Sequence, residues 1–63
     1  MMPSIGIMIK RCSGLIDTGD VSEGTNMFLI DMVRQTNNGE NTKLLTGPQI
    51  KYIEDVFKKH FAG

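Results

Sequence analysis

Apolar positions fall into three groups separated by two stretches rich in turn-forming residues, Asp17-Thr18-Gly19-Asp20 and Thr36-Asn37-Asn38-Gly39-Glu40-Asn41-Thr42. Gly, Asn, Asp and Thr between apolar segments is the usual composition of loops. Each intervening segment has room for one helix, and no internal repeat is present. In the last segment Ile50, Ile53, Val56, Phe57 and Phe61 recur at helical spacing, within about 140° of arc at 100° per residue. Thr46 and Gln49 form a capping box ahead of this stripe, and Leu45 and Ile50 stand where a hydrophobic staple requires them. Pro48 is harmless in the first turn, where its missing N–H has no partner to lose. Glu54 precedes Lys58 by four, Asp55 precedes Lys59 by four, and Lys58, Lys59 and His60 suit the negative end of the helix dipole. The pattern predicts a helix over residues 47–61.

In the middle segment Phe28, Leu29, Met32 and Val33 form one stripe. Ser22 or Thr25 can cap its start, Glu23 favours the first turn, and Gly39 is a candidate stop. Met27 and Ile30 lie off the stripe. They are either wrapped by a second side of a small core or left as a surface that takes a partner, and the periodicity alone does not separate the two. The first segment has two readings. Ile5, Met8, Ile9, Cys12, Leu15 and Ile16 fit a helical stripe, whereas Ile5, Ile7 and Ile9 alternate as in a strand. One strand without a hairpin partner leaves an open edge, so a helix is expected. The predicted fold is all-α: a short N-terminal helix and an antiparallel helical hairpin, a three-helix mini-domain over residues 1–63 with Phe28, Met32, Ile53, Val56 and Phe57 at its centre.

Length changes the picture by limiting stability. A chain of 63 residues holds one domain, and at this size only about 60% of the unfolded surface is buried on folding. Ordering costs about 1.5 kcal/mol per residue, which nearly cancels the apolar gain. Tight packing, self-association into a homo-oligomer, or a partner is expected to help. One Cys allows no internal disulfide, and Cys12 with His60 falls short of a four-ligand zinc site. The longest apolar run is the four residues Met27–Ile30, so no membrane span is expected. The opening residues lack the pattern of a secretory signal, and a cytoplasmic setting is the default.

Candidate chemistry is sparse. Cys12, Ser13, Asp17 and His60 contain the residue types of a nucleophilic site, but nothing fixes a base beside a nucleophile. Asp17, Asp20 and Glu23 lack the spacing of a calcium loop, and Gly14 to Gly19 lacks the Lys-Ser/Thr that completes a phosphate loop. No enzyme activity and no cofactor is expected. Cys12 reads as a small core residue, although Lys10 and Arg11 beside it would favour the thiolate if it were exposed. Seven basic and seven acidic residues cancel, which argues against binding through bulk charge. The distribution is uneven: residues 1–31 carry two basic and four acidic side chains, residues 32–63 five basic and three acidic. In the second part Lys43, Lys51, Lys58, Lys59 and Arg34 could meet phosphates and Tyr52 could stack on a base. In the first, Met27, Ile30 and Met8 offer apolar contact and Asp17 and Asp20 charge.

The stretch Leu45-Thr46-Gly47-Pro48-Gln49-Ile50 through Lys58-Lys59-His60-Phe61, preceded by Phe28-Leu29-Ile30-Asp31-Met32-Val33 and the Asn-Gly loop, resembles a pattern of small helical accessory proteins of tailed bacteriophages. It consists of Leu-Ser/Thr-x-x-Gln and an apolar helix ending Lys-His/Tyr-Phe, and covers residues 22–61. An aromatic residue often found near the start of the middle helix is replaced here by Glu23-Gly24-Thr25. The resemblance implies a phage or bacterial setting. The expected function is a non-enzymatic module that binds and modulates a host or phage protein. The alternative is a nucleic-acid-binding accessory protein.

Overall fold

A computed structural model describes residues 3–61, and these form three helices and no strand. The first, α1, runs Ile5–Cys12 and tightens into a single 3-10 turn over Ser13–Leu15. Ser4 caps it by accepting the Ile7 N–H at 3.4 Å. The helical period decides between the two readings of this segment. It turns Met8, Ile9 and Cys12 into the core and leaves Ile7 47% exposed, whereas a strand would have put Ile5, Ile7 and Ile9 on one side.

The second helix, α2, spans Glu23–Thr36. Of the two candidate caps, Ser22 takes the role, accepting the Thr25 N–H at 3.2 Å. Asp17, in the connection to α2, donates its N–H to Asn26 Oδ1 at 2.7 Å, and Asn26 Nδ2 donates back to Asp17 Oδ1 at 3.0 Å. This reciprocal pair holds Asp17 at a positive φ of 60°, a region that Asp tolerates better than most residues. The other end of α2 departs from the expected stop at Gly39. The helix ends at Thr36, with Asn37 and Asn38 already left-handed at φ 52° and 58°. Thr36 explains the early stop. It is 1% exposed, its hydroxyl donates to the Met32 carbonyl, and the same oxygen accepts the Gly39 N–H at 3.0 Å. The Asn38 N–H then closes on Val33 O at 2.8 Å and the Asn41 N–H on Thr36 O at 2.9 Å. Carbonyls that the helix end leaves orphaned are thereby satisfied.

The third helix, α3, occupies Gly47–Phe61, as the stripe and capping box predict. Both halves of the box form: the Thr46 N–H donates to Gln49 Oε1 at 2.9 Å and the Gln49 N–H to Thr46 Oγ1 at 3.4 Å. Of the staple pair, Leu45 packs against the core. The expected pairs of Glu54 with Lys58 and Asp55 with Lys59 do not form. Among the described residues the one ion pair is Lys51–Asp55, at 3.9 Å and well exposed. Such pairs are worth only a few tenths of a kcal/mol in any i,i+4 combination, so their choice has little effect on the fold.

Met8, Ile9, Cys12, Leu29, Met32, Ile53, Val56 and Phe57 make the core, ringed by Ile5, Leu15, Ile16, Phe28, Val33 and Leu45. Phe28, expected at the centre, is only partly buried and lies flat on Tyr52 with ring centroids 4.1 Å apart. The short helix α1 is the inner element. It packs on both α2 and α3, most extensively on α3, while no Cα of α2 comes within 8 Å of a Cα of α3. The two longer helices meet through side chains, at the Phe28–Tyr52 stack and the 2.8 Å hydrogen bond between the Thr25 and Tyr52 hydroxyls. The turn after α2 closes on α1 at a pair of glycines, Gly6 and Gly39, whose backbones touch so closely that neither has room for a Cβ.

Candidate interaction surface

Opposite the buried residues of α2 lies a face of different character. At 100° per residue Glu23, Met27, Ile30 and Arg34 fall within about 60° of arc, on the side away from Leu29, Met32 and Thr36. Met27 is 56% exposed and Ile30 is partly buried, and neither belongs to the core or to the apolar ring around it. Of the two readings left open by the periodicity, the core does not wrap this side of α2. Glu23 and Arg34 are exposed at the two ends of the face and make no ion pair among the described residues.

The other candidate residues are dispersed in their roles. Met8 is 3% exposed and part of the core. The helical turn that puts Ile9 and Cys12 inward takes Met8 with them, so it presents nothing to a partner. Asp17 is exposed, but its carboxylate is held by Asn26. Asp20 is exposed, its backbone N–H donating to Thr18 Oγ1 at 3.2 Å. Among the basic candidates, Lys51 pairs with Asp55, while Lys43, Lys58 and Lys59 are exposed. Tyr52 has one ring face covered by Phe28 and its hydroxyl engaged by Thr25, so only the remaining face is open for stacking. Leu44, which belongs to none of the apolar stripes, is 80% exposed. The Leu44-Leu45 pair carries the signal: one leucine can reach the core as the staple, and its neighbour then points outward.

Three of the residues that could form a nucleophilic site, Cys12, Ser13 and Asp17, are buried or engaged elsewhere. Ser13 Oγ donates to the Lys10 carbonyl at 2.6 Å, and Asp17 is bound to Asn26. Cys12 is fully buried, and burial pushes its thiol up from 9.0 to about 11. Desolvation thus outweighs any help the neighbouring Lys10 and Arg11 give the thiolate. The folded chain is expected to react with a thiol-labelling reagent at pH 8 at least about a hundredfold more slowly than the urea-unfolded chain, because the thiolate fraction alone falls by that factor. Equal rates would overturn the assignment of Cys12 to the core. The sign for stability follows. The unfolded thiol ionises first, so stability is unaffected below pH 9 and falls between about pH 9 and 11, by about 1–3 kcal/mol.

Among the described residues no three His, Cys, Asp or Glu side chains gather in a group able to hold a metal ion. A recess lies where α1 meets the turn after α2, lined by Lys10 and Glu40 among others; at about 150 Å³ it is open and small. Small-molecule sites usually enclose about 300–1,000 Å³. No helix among the described residues is long and apolar enough to cross a membrane.

Protein-family models, curated proteins and solved structures give no match to the chain.

Proposed function

We propose that the chain is a small non-enzymatic protein-interaction module, phage-encoded and acting in the host cytoplasm, that binds and modulates a host or phage protein. One observation carries the reading: Met27 and Ile30 stand on a helix face outside the core, with Met27 more than half exposed. A chain this short gains little from its own core, so apolar side chains left outside it are better explained by contact with another surface than by folding. Unbranched, polarisable Met is suited to such contacts. The phage setting is supported by the Leu-Thr-x-x-Gln helix start and the Lys-His-Phe ending of α3.

The test compares the tagged chain with Ile30→Asp and Met27→Asp as bait in the native cell, with mass spectrometry of what each retains. Both substitutions lie outside the core, so the helical circular dichroism should be unchanged while the specific partner is lost. If both variants retain everything the parent chain does, the module reading fails. The nucleic-acid alternative, through Lys43, Lys51, Tyr52, Lys58 and Lys59, predicts instead a mobility shift at about 50 mM salt that vanishes by about 200 mM.

A further inference from the structure

The outward face of α2 carries a symmetry of its own. Glu23, Met27, Ile30 and Arg34 are spaced four, three and four residues apart, the spacing of a helix–helix seam. Reversing the direction of the helix maps this series onto itself: Glu23 exchanges with Arg34 and Met27 with Ile30. We infer that the occupant of this face is a second copy of the chain, its α2 antiparallel to the first, with Met27 against Ile30 of the other copy at the centre and Glu23 against Arg34 at both ends.

This rests on the reading of the face as a contact surface and specifies what covers it. Three observations support a second copy. The apolar pair lies outside the core and its ring. The flanking charges are opposite in sign and have no ion-pair partner within the described chain. Only the antiparallel arrangement brings those charges together, since a parallel pair would set Glu23 against Glu23 and Arg34 against Arg34. An isologous contact of this kind needs a self-complementary patch, and the exchange of positions supplies one. The seam is short. A standard stable interface takes about 800 Å² from each partner, close to a fifth of the 4234 Å² surface of this chain, and two apolar side chains supply only part of that. The dimer is accordingly weaker than one with a standard interface, and a tighter-binding partner protein would displace it.

Sedimentation equilibrium on the full chain, with Glu23→Lys, Arg34→Glu and the double variant, tests the arrangement. Wild type should show a monomer–dimer equilibrium. Each single variant places like charges at both ends of the seam and should weaken it by about tenfold. An equimolar mixture of the two single variants should restore dimerisation, because each then supplies what the other lacks, and the double variant should restore it within one chain. Helical circular dichroism reports that all of them fold. A wild-type chain that stays monomeric at about 1 mM, single variants that dimerise as well as wild type, or a mixture that remains monomeric would overturn the inference. A monomeric wild type whose Ile30→Asp variant still loses a captured partner overturns the second copy alone. If Ile30→Asp and Met27→Asp both retain every captured protein, the interaction module falls as well.

Discussion

Gly6→Ala is expected to unfold the domain or leave it at the margin of stability. A Cβ built on Gly6 runs into the carbonyl oxygen of Gly39, and one built on Gly39 runs into the carbonyl oxygen of Gly6. The obstacle on each side is backbone, so no rotamer change relieves it; α1 and the turn after α2 must separate. Gly39 is constrained twice, since its φ of +91° is also a conformation that side chains rarely adopt. A forced shift of packed backbone costs about 3 kcal/mol or more. At about 0.05–0.15 kcal/mol per residue, a domain of this length has only about 3–9 kcal/mol in all. Thermal melts followed by circular dichroism check the expectation, with Gly24→Ala as the comparison. Nothing lies within 4 Å of a Cβ at Gly24, and an exposed helical Gly→Ala gains about 0.5–1 kcal/mol. The two alanines should therefore move the melting temperature in opposite directions, by about 4–8 °C for each kcal/mol. A Gly6→Ala variant that melts with the parent chain would show that the two backbones are not in contact.

Ile9→Ala should cost about 2–5 kcal/mol, the range for emptying a buried aliphatic site. Ile9 is 1% exposed and sits on the one helix that packs against both others. Urea unfolding at constant slope measures the loss, and Ile7→Ala provides the control. Ile7 is 47% exposed, so its truncation should change stability by no more than about 0.5 kcal/mol. The contrast bears on the architecture itself. Equal effects at positions 7 and 9 are what a strand would give, and they would overturn the helical assignment of the first segment.

Features that depend on neighbours within one turn were readable in the residues. The capping box of Thr46 and Gln49, a cap at Ser22 or Thr25 and the apolar stripes of α2 and α3 follow from spacing, and the inward placement of Cys12 follows once the first segment is helical. What escaped depends on groups distant in sequence. The meeting of Gly6 and Gly39 has no local signature, because each glycine viewed by itself is a helix position or a turn. The inner position of α1 is hidden in the same way. All three segments carry an apolar stripe, and the chain's own pattern does not say which helix the other two will clasp. Stopping α2 at Thr36 rather than Gly39 depends on a buried hydroxyl whose two hydrogen bonds appear only once the turn has closed. As for the candidate surface, Met27 and Ile30 were visible as off-stripe residues, whereas Glu23 and Arg34 acquire meaning only when they flank that pair without partners of their own. Met8 shares the helical stripe of Ile9 and Cys12, so its spacing already points to the core, and offering it to a partner conflicts with that stripe.

The clasp around α1 also has a consequence in time. Its most extensive contact, with α3, joins the two ends of the sequence rather than neighbouring helices, and α2 and α3 offer each other little backbone contact on which to start. Loop-closure entropy must be met before such distant contacts give anything back. This domain should therefore collapse more slowly than helical bundles of its size whose successive helices pair. During synthesis on a ribosome, its core would remain unfinished until α3 has emerged.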